Sequence, residues 1–185
     1  MIDDVLLETE EKMDKAIEFC REEFAAIRTG RANPALFTSI TVEYYGAPTP
    51  LQQLASVTVP EARTLLISPY DKSATGDIIR AIQEADLGVN PTDDGHVIRV
   101  TMPALTEERR RDYVKMAGQK AEEARVTIRG IRRKAMEELN RIKKDGEAGE
   151  DEVDRAEKDV EGLTKAHVET VDKILQAKED ELMEI

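Results

Sequence analysis

Apolar or small side chains recur at Ile2, Val5, Leu6, Met13, Ala16, Ile17, Cys20, Phe24 and Ile27. Steps of three and four put them on one face of a helix over residues 2–29. Thr29-Gly30 supplies a stop and Asn33-Pro34 a break. The period then changes. "SITVEYYG" (39–46) alternates as a strand does and runs into the turn-rich "GAPTP". "LASVTVPEARTLLISPY" (54–70) reads as two short strands with a turn near Pro60-Glu61. In "DKSATGDIIRAIQEADLGVNP" (71–91), Asp71 and Ser73 are candidate caps. Ile78, Ile79, Ile82 and Leu87 form an apolar face, and Gly88 is a stop, which together predict one amphipathic helix. "HVIRVTMP" (96–103) is a last strand behind an Asp94-Gly95 turn.

From Thr106 the helical period returns. Thr106-Glu107-Glu108 puts a cap and two acids at a helix start, although Arg109 at the third following position rules out a capping box. Val114, Ala117, Ala121, Ala124, Ile128, Ile131, Ala135, Leu139 and Ile142 step by three and four, close to a heptad seam. "KKDGEAGEDE" (143–152) interrupts it. Val153, Ala156, Val160, Leu163, Val171, Ile174 and Leu182 then mark a further long helix.

Three long one-faced helices cannot persist singly, and the economical arrangement is a long antiparallel three-helix bundle. A helix from Thr106 to Lys144 is about 58 Å long at 1.5 Å per residue. The expected fold is α+β, with residues 1–30 and 104–185 forming the bundle and residues 31–103 an inserted small β/α/β domain. Two short connections join insert and bundle, so Thr29, Gly30, Arg31, Pro103, Ala104 and Leu105 are the candidate hinge.

Composition narrows the class. Of 185 residues, 40% are hydrophobic, 36% charged and 4% aromatic, a balance suited to long solvated helices. No apolar run approaches the roughly 20 residues that cross a bilayer, and the acidic amphipathic N-terminus is not a signal peptide. Cys20 is the single cysteine, so no internal disulfide forms and a reducing cytoplasm is expected.

The net charge of −12 is unevenly spread. Residues 1–29 carry 4 basic and 9 acidic side chains, residues 106–144 carry 13 and 7, and residues 147–185 carry 5 and 14. Within "ARVTIRGIRRKAMEEL" (124–139), Arg125, Arg129, Arg132, Arg133 and Lys134 occur with no acid between Ala124 and Met136. A basic helix between acidic ones can simply form salt bridges across the bundle, each contributing about 0–1 kcal/mol. Geometry adds a second reading. At about 100° per residue, Arg125, Arg129, Arg132 and Arg133 fall in an arc of roughly 100° beside the seam. Arg111, Arg125 and Arg132 share one heptad position, and Lys115 and Arg129 another. A row of planar guanidiniums suits phosphate oxygens, and the lack of aromatics there points to backbone rather than base recognition.

Five blocks carry a resemblance: "IRTGRANP" (27–34), "VEYYGAPTPLQQLASVTVPEARTLLI" (42–67), "DLGVNP" (86–91), "LTEERRRDYVK" (105–115) and "ARVTIRGIRRKAMEEL" (124–139). In order and along the whole length, the chain resembles the bacterial ribosome-recycling factor family. The resemblance implies an L-shaped molecule, a three-helix bundle and a smaller β/α/β domain about a flexible hinge. It implies a monomer that binds large-subunit ribosomal RNA in the post-termination ribosome through the bundle. With elongation factor G and GTP it would separate the subunits and release messenger and transfer RNA. The family's RNA-contacting arginines map by motif onto Arg129 and Arg132, with Arg133 beside them, and Arg28 and Arg31 sit at the hinge end. Gly130 stands where a polar residue is expected.

No catalytic set is visible, and no cofactor or metal is expected. His96 and His167 lack Cys or His partners for a metal, Cys20 reads as core filler, and no phosphate-cradling glycine loop is present. A helical adaptor docking an acidic protein and a hydrolase hidden in the insert are the competing classes. The second lacks a convergent nucleophile and base. Alternation puts one of Tyr44 and Tyr45 inward and the other outward, making Tyr45 a candidate contact.

Overall fold

The computed structural model describes residues 1–184. The chain runs α1 (Ile2–Ala25), a single turn α2 (Ala35–Thr38), β1 (Thr41–Tyr44), β2 (Ala47–Pro50), a single turn α3 (Leu51–Leu54), β3 (Ala55–Glu61) and β4 (Thr64–Pro69). A 3-10 turn (Lys72–Ala74) leads into α4 (Thr75–Glu84), followed by β5 (Pro91–Asp93), β6 (Ile98–Thr101), α5 (Glu107–Lys144) and α6 (Glu150–Met183).

These elements form two compact units: Met1–Phe24 with Val114–Asp180, and Ala25–Tyr113 with the residues from Glu181 onward. The division expected at 30/31 and 103/104 falls inside the second unit. The reason is local: α1 ends at Ala25, and the segment after it bonds within that unit. Asn33 Nδ2 donates to Ala25 O at 3.3 Å, and Ala32 N donates to Ala62 O at 2.7 Å.

The first unit is a three-helix bundle whose directions follow from its contacts. Along α5, Arg125, Arg132 and Lys143 meet Asp172, Glu161 and Asp154 of α6, so these helices are antiparallel. Lys120 of α5 meets Glu23 late in α1, whereas Ile2, Val5 and Leu6 pack on the cluster of Ala135, Leu139 and Ile142. Helix α1 is therefore antiparallel to α5 and parallel to α6. Ala117, Ala121, Ala124, Ile128, Ala135, Leu139 and Ile142 of the expected seam are buried, whereas Val114 and Ile131 are only half-buried. Alanines on α5 let its neighbours approach closely, and Met13, Ile17 and Phe24 supply bulk from α1. Thr106 Oγ1 caps α5 by accepting from Arg109 N at 3.2 Å. At the far end Gly146 (φ +66°) closes the helix. Its N–H donates to Lys143 O and the N–H of Glu147 to Ile142 O, a Schellman termination.

The second unit holds a four-stranded antiparallel sheet in the order β3-β4-β6-β5 and a separate β1–β2 hairpin. Phe37, Leu51, Leu65, Ile67, Ile78, Ile82, Ile98 and Met102 are fully buried in one cluster. Strand β6 shows the period-two pattern, with Ile98 and Val100 buried and Arg99 and Thr101 exposed.

Four details differ from the sequence expectation. The "APTP" segment is strand β2, joined to β1 by the turn Tyr45-Gly46 with φ +50° and +77°. The β3–β4 turn lies at Ala62-Arg63, past Pro60-Glu61. Helix α4 ends at Glu84, short of Gly88, because Asp86 already adopts φ +52°. Strand β5 was not anticipated, being three residues pairing only with β6. Among the described residues, no helix is long and apolar enough to cross a membrane.

Candidate nucleic-acid interface

Helix α5 places the arginines at graded distances from its buried seam. Arg129 and Arg133 are exposed, while Arg125 and Arg132 are half-buried on the flank that meets α6. The Arg125 side chain is 19% exposed and that of Arg129 52%, and this gradient decides what each can do. Arg125 Nε and Nη2 donate to Asp172 Oδ1 at 3.0 and 2.7 Å, and Nη1 donates to Glu122 at 3.1 Å. Arg132 Nε and Nη2 donate to Glu161 Oε1 at 3.0 and 2.5 Å. These hydrogen bonds raise both guanidinium pKa values and hold the Glu161 carboxyl below the usual range.

The remaining arginines are freer. Arg129 reaches only Glu122, at 3.4 Å, and Arg111 pairs with Glu107 one turn earlier on an exposed surface. Arg133 and Lys134 are exposed and make neither a hydrogen bond nor an ion pair among the described residues. Inter-helix salt bridging thus accounts for Arg125 and Arg132; it leaves Arg129 with only its 3.4 Å contact to Glu122 on the same helix, and Arg133 and Lys134 with no partner among the described residues. Sequence reasoning missed Glu161 and Asp172. Their signal lay in register, since antiparallel α6 brings its acids past α5 in reverse order.

Arg28 and Arg31 have different surroundings. Arg28 is only 9% exposed, its Nη2 donates to Pro103 O at 2.9 Å, and its Nε is buried without a hydrogen-bond partner. That side chain is internal to the second unit. Arg31 is exposed and forks Glu184, with Nη2 on Oε1 at 2.9 Å and Nε on Oε2 at 2.6 Å. The candidate hinge residues Thr29, Gly30, Arg31, Pro103, Ala104 and Leu105 all lie in the second unit. Thr29 Oγ1 accepts from Arg31 N at 3.2 Å, and the Arg28–Pro103 bond ties the two connections together.

An open groove of about 780 Å³ runs between α5 and α6, lined by Arg132, Arg133, Asn140, Asp154, Lys158 and Glu161 among others. Charges of both signs line it, unlike a pocket for one small anion. Cys20 is buried, and burial first and Glu23 second raise its thiol pKa, which disfavours the thiolate. His167 lies between Asp14 and the carbonyl of Leu163, and His96 contacts Lys72. Among the described residues no group of three His, Cys, Asp or Glu could hold a metal. Tyr44 bonds inward to Asp71 and Tyr45 is 81% exposed, the alternation expected of them.

Comparison with known proteins gives these features a family. The model of the family "Ribosome recycling factor" matches residues 20–183. A ribosome-recycling factor of Beutenbergia cavernae is 63% identical and one of Acidothermus cellulolyticus 64%, each over 185 residues covering both chains fully. Among solved structures, a solution structure of the ribosome recycling factor superposes with a TM-score of 0.80 at 41% identity. It covers 100% of this chain and 98% of that one. A second, also 41% identical with full coverage of both chains, has a TM-score of 0.71. It comes from models of the T. thermophilus ribosome recycling factor and the E. coli elongation factor G bound to the E. coli post-termination complex. The protein of 185 residues folded as a three-helix bundle and a small β/α/β unit is a member of the ribosome recycling factor family.

Proposed function

We propose that this chain is a non-enzymatic translation factor of the cytoplasm that binds post-termination ribosomes as a monomer. With elongation factor G and GTP it splits the subunits and frees them from messenger RNA. The relative bound with elongation factor G to the post-termination complex supports this reading. In the finer version, large-subunit ribosomal RNA lies along α5. Arg129 and Arg133 contact phosphates first, Arg132 and Arg125 join from the flank, and Arg111 continues the row toward the start of α5, while Arg31 is a separate candidate contact of the second unit. Arg28 takes no direct part, since its guanidinium is turned inward to Pro103. Motion about the connections at Thr29–Arg31 and Pro103–Leu105 accompanies splitting.

One observation carries the reading. Exposed, uncommitted Arg133 stands one helical turn from Arg129 on a helix with 13 basic and 7 acidic residues, in a chain of net charge −12. The acidic remainder repels phosphate elsewhere and so confines binding to that face. Light scattering of post-termination ribosomes tests the function directly. Splitting is expected only with the chain, elongation factor G and GTP together, and splitting that proceeds equally without the chain contradicts it.

A further inference from the structure

Two matching rungs cross from α5 to α6. In each, an arginine places Nε and Nη2 side by side on a single carboxylate oxygen: Arg125 on Asp172 Oδ1 and Arg132 on Glu161 Oε1. The arginines are seven residues apart, about 10 Å along the helix axis. A phosphodiester engages a guanidinium through the same two N–H groups. The carboxylates therefore occupy the recognition edge itself, while Arg133 beside them is vacant. Neither acid is sequestered: Asp172 is 54% exposed and Glu161 52%. The Arg132–Glu161 pair, with side chains 40% and 52% exposed, is the more weakly held, and a well-placed phosphate can displace it; Asp172 is open to exchange from its own exposed side.

We infer that Glu161 and Asp172 are built-in competitors for the arginine forks, setting how tightly and how selectively α5 takes a polyanion. The inference rests on the reading of α5 as a phosphate-binding helix. A polyanion whose phosphates match the row recovers both rungs through bidentate contacts. A diffuse or mismatched one loses the internal pairs without full return, so the ladder discriminates by subtraction. The Glu161 carboxyl, kept ionised by Arg132, competes at every physiological pH. The opposite role, holding the guanidiniums in place for RNA, predicts the opposite sign on neutralisation.

The test measures affinity of the full chain for purified large ribosomal subunits at one low salt concentration. Glu161→Gln is expected to tighten binding about 2- to 5-fold, the size of an exposed ion pair. Glu137→Gln makes the same charge change in the same groove, where Glu137 has no ion pair, and its gain is expected to be smaller. In an Arg132→Ala background the extra gain from Glu161→Gln should vanish. Circular dichroism verifies that each variant keeps its helices. Glu161→Gln no tighter than Glu137→Gln, or a gain that persists without Arg132, overturns the competitor role. Wild-type affinity in Arg132→Ala alone is a distinct outcome that removes the phosphate-binding reading beneath it.

Discussion

Tyr44 Oη donates a 2.7 Å hydrogen bond to Asp71 Oδ2, fastening the β1–β2 hairpin to the turn that opens α4. The other Asp71 oxygen accepts from Ser73 N at 2.9 Å and Ser73 Oγ at 2.7 Å. The bond pushes the Tyr44 phenol up to about 12 and holds the Asp71 carboxyl below its ordinary value. A raised phenol stabilises the fold below its unfolded pKa, near 10, and that contribution is lost as pH climbs towards 12. A depressed carboxyl stabilises above about 4 and is lost as pH falls through its folded value. Thermal melts of Tyr44→Phe against wild type should differ most between about pH 4 and 10 and converge outside that window. A difference independent of pH contradicts the pairing.

Arg28 distinguishes a structural guanidinium from a binding one. Alanine there deletes a buried donor to Pro103 O and leaves a void, a loss of about 1–3 kcal/mol. Arg28→Ala should therefore lower the urea midpoint, whereas Arg133→Ala, an exposed residue without partners, should leave it within about 0.5 kcal/mol. Equal midpoints for the two variants would show that the Arg28 contact carries no stability.

Glycine to alanine should change sign between two positions. A Cβ on Gly130 meets nothing within 4 Å, and the residue lies inside α5 without a positive φ. Gly130→Ala should stabilise by about 0.5–1 kcal/mol in chemical denaturation. Gly46 sits at φ +77°, where alanine is strained, and Gly46→Ala should destabilise by about 1 kcal/mol. Stabilisation at both positions contradicts the hairpin geometry.

These elements also show what was readable in the sequence. The bundle was, because its apolar and small residues keep one period from Ala117 to Ile142 and one face of a helix is a strong constraint. The β1–β2 hairpin was half hidden. Pro48 and Pro50 look like turn residues, yet they share a parity opposite to Ala47, which closes the turn. Their missing N–H groups fall outside the ladder of a two-stranded sheet, so proline costs nothing there. Strand β5 exists only through β6, and three residues carry no periodicity of their own. At the candidate interface the arginines were legible as a row. Which were spoken for was not, since the partners Glu161 and Asp172 lie 29 and 47 residues away on another helix.

Cys20 offers a probe of the bundle. Its thiol is buried at the α1–α5 seam and its pKa is raised. A disulfide exchange reagent should react only as fast as the bundle opens, and at the free-thiol rate in urea. Fast reaction in native buffer contradicts the packing of α1.

The central claim is that exposed guanidiniums on α5 hold ribosomal RNA by its phosphates. Affinity for large ribosomal subunits, measured against salt for wild type and for Arg129→Ala with Arg133→Ala, tests it most directly. Loss of two phosphate contacts should weaken binding at every salt concentration and flatten the slope of log K against log salt by about 0.7–0.9 per contact. An unchanged slope and affinity in the double variant contradicts the claim.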